Sequence, residues 1–413
     1  MEKNKTNYYA ILCKNEWSYT TGAVIMALLA VSMAAFGGAW GIVGPFAIWG
    51  GKTLALFSAN ADSWKIFNGQ LSKYSFLNNQ GSITDIALIF GALISCLLAS
   101  QWKLRMIKST RQVWAAVVGG LLMGIGTRIA PACNIGAMFS SIPQFSLSGW
   151  IYLVCAVAGA VVGGKMLVRW FIPPVSHERR TPRKKLSEAE HKRNRRIQIA
   201  AAMLLLVLGF IAAYAAKAQA PLAGIFIFVG LGLGYAIQRS RFCFTAAMRD
   251  PALTGSTKVT KALIAALAVS TIMFTGIHIA RYGIDLAKLP ETIPGGNVAL
   301  HLPIGSFLFG IGAAIAGCCA SGTFIRIGEG YVQSMITFVF FIAGSLPGAW
   351  LMQNVVKPNP LLSSGKAIYL PKLFGGFGPA LLIQLLLLLA LWIIADHWEK
   401  RAMRNEQRTE NRE

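Results

Sequence analysis

Apolar residues gather along the chain in ten runs, near 20–38, 84–100, 112–130, 148–170, 198–216, 221–237, 259–280, 302–317, 331–352 and 378–396. Most are close to the ~20 residues a helix needs to cross the hydrocarbon core of a bilayer. The pattern predicts ten transmembrane helices joined by polar loops. The one clear linker is 173–197, which carries nine Lys/Arg against three Glu. Four other segments fit no simple span: Trp40-Gly-Ile-Val-Gly-Pro-Phe-Ala-Ile-Trp-Gly-Gly51, Ile129-Ala-Pro-Ala-Cys-Asn-Ile-Gly136, the stretch from Arg239 to Pro251, and Ala316-Gly-Cys-Cys-Ala-Ser-Gly322. Each is short and broken by, or ends at, Gly or Pro. Backbone broken at membrane depth leaves N–H and C=O groups unpaired, and it survives only where protein or a water-filled cavity satisfies them. These four segments are read as re-entrant hairpins at 40–57, 129–142, 239–250 and 316–328.

Composition agrees. Hydrophobic residues make up 55% of the 413 and charged residues 13%, half of the about 25% of soluble domains. An ordinary soluble enzyme is excluded. The net charge of +23 sits in loops between apolar runs, so nucleic acid is a poor partner. Ten spans put both termini and the linker on one side, and 29 of the 39 Lys and Arg fall there. The positive-inside rule makes that side cytoplasmic. The linker reads as a solvated topogenic loop, with anionic lipid or a docking partner as the alternative. The N-terminus is polar through Ser18, and the first run reads as an uncleaved helix rather than a signal peptide.

The second and fourth hairpins align without a gap. Gly124-Ile-Gly126 matches Gly310-Ile-Gly312, Ala130 matches Ala316, Cys133 matches Cys319 and Gly136 matches Gly322, all at an offset of 186. The first hairpin pairs more weakly with the third, around Phe46 and Phe242. Five spans per half, an odd number, means that the second half is inserted upside down. The expected organisation is a first half at 1–172 with helices one to four and two hairpins, and the basic linker at 173–197. The fifth helix and second half follow at 198–396, then a charged tail at 397–413. The hairpin tips would meet at mid-membrane in an hourglass. The competing explanation of the matched glycines is close helix packing.

Cys133, Cys243 and Cys319 lie at or near hairpin tips. A thiol is a weak donor with a soft, polarisable sulfur. It suits a soft sulfur- or selenium-bearing anion, and the helix N-termini of the hairpins add partial positive charge. Asn134 shares the tip of Cys133. Cys318 is undecided, since its repeat mate is Ala132; Cys96, Cys155 and Cys13 read as small apolar residues. Arg128 precedes the second hairpin, and Arg326 with Glu329 follows the fourth; cations at membrane depth are costly and usually functional. Cys133, Cys243, Cys319, Cys318, Asn134, Arg128, Arg326 and Glu329 are therefore the candidate substrate pathway. Structural alternatives stand beside them: an Arg326–Glu329 pair on one helical face, an Arg249–Asp250 salt bridge, Arg239 and Arg241 as interfacial anchors. His278 reads as a satisfied polar residue, and Trp40, Trp49, Trp64 and Trp150 as interfacial belt residues. No nucleotide-binding motif and no zinc-like Cys/His spacing is present, so neither a metal nor a cofactor is expected.

At these residues the sequence resembles the YeeE/YedE family of bacterial sulfur-compound transporters over nearly the whole chain. The resemblance rests on Arg128-Ile-Ala-Pro-Ala-Cys-Asn-Ile-Gly136, Pro143-Gln-Phe-Ser-Leu147, Arg241-Phe-Cys-Phe-Thr-Ala-Ala-Met-Arg-Asp250, Gly317-Cys-Cys-Ala-Ser-Gly322 and Gly328-Glu-Gly330. It implies an hourglass in the bacterial inner membrane whose cysteines relay thiosulfate through S–H···S contacts to a cytoplasmic sulfur carrier similar to TusA. The Gly-Pro-Phe…Trp-Gly-Gly segment and the Pro-Gln-Phe-Ser-Leu stretch look most like the YedE branch, associated with selenium metabolism. Many thiosulfate-transporting relatives carry a cysteine in the first hairpin too; here the alignment places Ala47 there.

Two other classes compete. A membrane sulfurtransferase forming a persulfide on Cys319 would need a general base, and none is evident beside Arg326. A scaffold subunit without substrate gains nothing from broken backbone at mid-membrane.

Overall fold

The computed structural model describes residues 8–37, 40–57, 62, 67, 69–131, 133–172, 187–283 and 296–410. The helices run in order α1 Tyr19–Ala35, α2 Phe46–Ala55, α3 Gln70–Lys73, α4 Gln80–Leu98, α5 Thr110–Ile129, α6 Leu147–Met166, α7 Glu188–Gln219 and α8 Ala223–Ser240. They continue with α9 Phe244–Leu253, α10 Lys258–Tyr282, α11 His301–Ala316, α12 Ala320–Gly328, α13 Val332–Leu351, α14 Pro360–Ser363, α15 Leu370–Leu373 and α16 Phe377–Glu410. A π-helical segment, Asn134–Ser140, lies between α5 and α6. Among the described residues there is no regular strand, only isolated bridges between Arg105 and Tyr331 and between Ser146 and Tyr369. Nine helical stretches in the described residues are long and apolar enough to cross a membrane. The remaining run, expected near 20–38, is the 17-residue apolar helix α1. The protein is an all-α polytopic membrane protein.

Two boundaries differ from the sequence reading. The helix expected from 198 begins at Glu188, inside the basic linker, because Ser187 and Glu190 form a capping box there. The Ser187 hydroxyl accepts from the Glu190 amide, and the Glu190 carboxylate accepts from the Ser187 amide at 2.8 Å. Reciprocal capping satisfies two donors that a helix start leaves orphaned. The charged tail is likewise helix, continuous with α16 to Glu410. Residues 173–186 of the linker, Trp64 and Ala132 lie outside the described residues.

Glycine sets the packing of the long helices. α5 lies against α13 and α6 against α11, while α5 and α11 lie against each other. The matched Gly-Ile-Gly pairs sit in these contacts. A Cβ on Gly124 would stand 2.4 Å from the Phe341 carbonyl oxygen, and one on Gly310 would stand 2.3 Å from that of Ala156. Gly126 faces the backbone of Phe309, and Gly312 that of Gly119. With little hydrophobic drive between helices in lipid, such close backbone approach is a main source of association.

Four short helical segments follow long helices after breaks: α2 after α1, Asn134–Ser140 after α5, α9 after α8 and α12 after α11. Gly317, at φ 79°, turns the chain at the last break, in a region that favours a residue without Cβ. The short segments meet one another. The Phe46 ring on α2 is 5.8 Å from Phe324 on α12, and Phe139 is 5.6 Å from Phe244 on α9. The Ser140 hydroxyl donates to the Trp40 carbonyl at 2.7 Å, and the Arg128 guanidinium donates to the Val43 carbonyl.

Candidate functional site

The three tip cysteines share one structural position. Cys133, Cys243 and Cys319 are each the extended residue immediately before a short helical segment. Each carbonyl accepts from the amide four residues on, from Ala137 at 2.8 Å, Ala247 at 3.0 Å and Thr323 at 2.8 Å. The thiols are thus set at helix N-termini, where the first N–H groups point outward from the helix. In the first segment the residue before the helix is Pro45; the sequence alignment had placed Ala47 at this position.

Cavities flank these residues at opposite ends of the long helices. A cavity of about 680 Å³ is lined by Trp40, Val43, Ala47, Arg128, Cys133 and Gly136, among others. A smaller one of about 220 Å³ is lined by Cys243, Cys318, Gly322, Arg326, Glu329 and Arg105, among others. α5 begins just after Arg105, which lines the smaller cavity, and ends at the larger one with Arg128. The repeat mates Gly136 and Gly322 line opposite cavities. Cys319 is 1% exposed and lines neither cavity. Cys133 thus lines the larger cavity, and Cys243 and Cys318 the smaller.

Polar groups around the thiols are only partly satisfied. The Asn134 side-chain oxygen accepts from the Tyr152 hydroxyl at 3.0 Å, but its buried amide nitrogen has no partner among the described residues. Arg128 Nε, Trp40 Nε1 and Thr245 Oγ1 are buried in the same condition. Cys319 Sγ lies 3.3 Å from Ser321 Oγ, and Cys318 Sγ lies 3.4 Å from Thr323 Oγ1. Unpaired buried donors are rare in native proteins and call for an explanation such as a ligand.

The expected Arg326–Glu329 pair does not form. The Glu329 carboxylate accepts from Gln238 at 2.9 Å, and Gln238 in turn accepts from Ser95 at 2.7 Å. Arg326 lies 5.6 Å over the Tyr331 ring, with Cys243 and Cys318 in electrostatic reach. Arg249 pairs with Asp250 at 2.8 Å as expected. Arg239 is not an interfacial anchor: it is fully buried and donates to the Cys13 carbonyl. Arg241 pairs with Glu16 at 2.5 Å. Trp40 is not a belt residue either. It is 1% exposed and meets Phe139 edge-on at 5.8 Å. Trp49 donates inward, to Tyr74 at 3.0 Å and Ser82 at 3.1 Å. His278 packs among Phe377, Tyr369 and Phe274.

Tyr152 is the residue that sequence reasoning missed. It is fully buried, bonded to Asn134 and within electrostatic reach of Cys133 and Cys319. Its signal is a phenol hydroxyl inside the apolar run 148–170, which requires a partner in hydrocarbon.

The model of the sulphur-transport family matches residues 1–162 and 239–413 of the chain. Over 398 residues the chain is 31% identical to the probable transporter YedE of Escherichia coli (strain K12), an alignment spanning 95% of this chain and 96% of that one. It is 31% identical over 373 residues to the probable transporter YedE of Salmonella typhimurium, with 88% of each covered. A shorter stretch of 94 residues is 37% identical to the thiosulfate transporter TsuA of Spirochaeta thermophila, covering 23% of this chain and 28% of that one.

Proposed function

The chain belongs to the sulphur-transport family, and on that premise we propose that it imports a small, thiosulfate-like sulfur anion through a constriction lined by cysteine. The observation that carries this reading is the common placing of Cys133, Cys243 and Cys319 before short helices, with Cys133 at one cavity and Cys243 at the other. A thiol contact is weak and soft, so an anion held by its sulfur end can be passed on rather than trapped. The oxygen end needs donors. Arg128 and the free amide of Asn134 supply them at Cys133; Arg326 supplies charge at Cys243 and Cys318, with Glu329 holding Gln238 beside it. Selenium is as polarisable as sulfur, so a selenium-bearing anion is a second cargo of the same path.

The two halves are proposed to form an inverted repeat with re-entrant short helices. Supporting this, the packing of α5 on α13 has its counterpart in α11 on α6, and the Phe46–Phe324 contact in Phe139–Phe244. The basic linker, both termini and the smaller cavity are placed in the cytoplasm on the charge asymmetry, in a bacterial inner membrane. There a sulfur carrier similar to TusA would receive the anion.

The test is uptake of radiolabelled thiosulfate into proteoliposomes, with sulfate in parallel. Sulfate has the same charge and shape but oxygen in place of the terminal sulfur. Saturable thiosulfate uptake without sulfate uptake is expected. Equal uptake of both would remove the soft-anion reading, and uptake of neither would remove transport of this class.

A further inference from the structure

We propose that Asp85 is a proton-binding site that couples anion entry to proton entry. The inference rests on the import reading above. Asp85 lies in α4, a membrane-spanning helix, is 0% exposed, and neither carboxyl oxygen has a hydrogen-bond partner among the described residues. An intramembrane carboxyl left without partners is costly, and such residues mark proton and ion pathways. With no donor to hold a negative charge, the buried arrangement suits the neutral acid.

Its place on the helix gives the coupling a route. Ser82, Asp85, Ile89, Ala92 and Cys96 are spaced three and four apart and form one stripe along α4. At one end, the Ser82 hydroxyl lies 2.6 Å from the Tyr74 hydroxyl and accepts from Trp49 of α2. Tyr74 is half-buried and stands in the loop beyond the helix. In the middle, Ile89 and Ala92 meet Gly328 of α12. At the other end Cys96 lines the smaller cavity. Asp85 therefore sits between the contacts that α4 makes to the first and the fourth short helices, one turn inward from a chain of hydroxyls. A movement of α2 or α12 that admits the anion would act on α4 on either side of Asp85.

The charged groups on neighbouring elements are occupied elsewhere. Arg239 of α8 donates to the Cys13 carbonyl, Arg326 of α12 and Glu329 just after it line the smaller cavity, and Lys52 of α2 and Lys14 of the N-terminal segment packed on α4 are exposed. Those of α7 whose side chains are described lie in its exposed first turns. Among the described residues no charged group pairs with Asp85. The step is a plain proton exchange: the carboxyl takes a proton from the outer side when opened to it and releases one to the cytoplasmic side, with no redox partner. It answers a physical need, since a negative cell interior opposes anion entry and accompanying protons cancel that charge.

The experiment uses the full chain in proteoliposomes with radiolabelled thiosulfate, under an inward proton gradient of about one pH unit. For the wild type, accumulation should rise about tenfold per cotransported proton. Asp85→Asn, a neutral isostere, should retain thiosulfate exchange without a gradient but lose the response to pH; Asp85→Glu should regain part of it. Retained exchange shows that the variant is folded. Wild-type uptake indifferent to the proton gradient, or Asp85→Asn responding like wild type, would overturn proton coupling alone. Response to a sodium gradient instead would overturn it in favour of a sodium site. No uptake of any sulfur anion by the wild type would overturn the transport reading and this inference together.

Discussion

Cys133 and Cys319 hold the same station in two different parts of the chain: each is the extended residue that opens a short helical segment, and each carbonyl accepts an amide from four residues on at 2.8 Å. Both side chains are 1% exposed. They are 186 residues apart in sequence. On the proposed function, these two thiols are the residues whose loss should cost uptake most.

Asn134 and Tyr152 support that pair. Tyr152→Phe removes the hydroxyl that holds Asn134 at 3.0 Å and leaves a buried acceptor unpaired. A loss of about 1–3 kcal/mol in stability is expected, measurable as a lowered melting point in detergent. Uptake should weaken in affinity more than in maximal rate, because the Asn134 amide loses its orientation. Unchanged affinity would remove Asn134 from the path.

Gly310→Ala tests the packing account. Its new Cβ would stand 2.3 Å from the Ala156 carbonyl oxygen, so α11 and α6 must separate. Overpacking of this kind costs about 1–3 kcal/mol, and thermal unfolding should show it. Gly136→Ala, whose Cβ meets nothing within 4 Å, should leave stability unchanged.

Sidedness is open to labelling. A cysteine engineered at Ser187, at the start of α7, should react with a membrane-impermeant maleimide only in inside-out vesicles. Labelling in intact cells would invert the topology.

The cysteines should differ in weight. Cys155→Ala should keep uptake, since this residue lies inside the long helix α6 and not before a short segment. Cys96→Ala should keep it as well, although Cys96 lines the smaller cavity, because Cys243 and Cys318 remain there. Cys243→Ser should slow uptake only partly, because Cys318 shares its cavity.

The spans were legible because apolar length alone identifies a helix in lipid, and the breaks that Cys133, Cys243 and Cys319 close because Gly or Pro lies near each. Other features were not. The early start of α7 was hidden by charge, although Ser187 and Glu190 carried a capping signal. Trp40 defaulted to the interface because tryptophan favours it, whereas the aromatic contacts among the short helices bury it. Arg326 and Glu329 have pairing distance in sequence, but Gln238 from another helix claims the carboxylate. Pro45, rather than Ala47, precedes α2 because the first break is longer than the others, which defeats alignment by spacing.

The most direct measurement is thiosulfate uptake by the Cys133→Ser, Cys319→Ser double variant in proteoliposomes, at matched protein and with the fold checked by melting. Serine is close in size to cysteine, so the fold should persist, but its hydroxyl is a harder partner for sulfur. Loss of about 1.4 kcal/mol at the constriction already slows passage tenfold, and two such losses should bring uptake to background. Transport at the wild-type rate would show that these cysteines only pack, and the thiol path would fall.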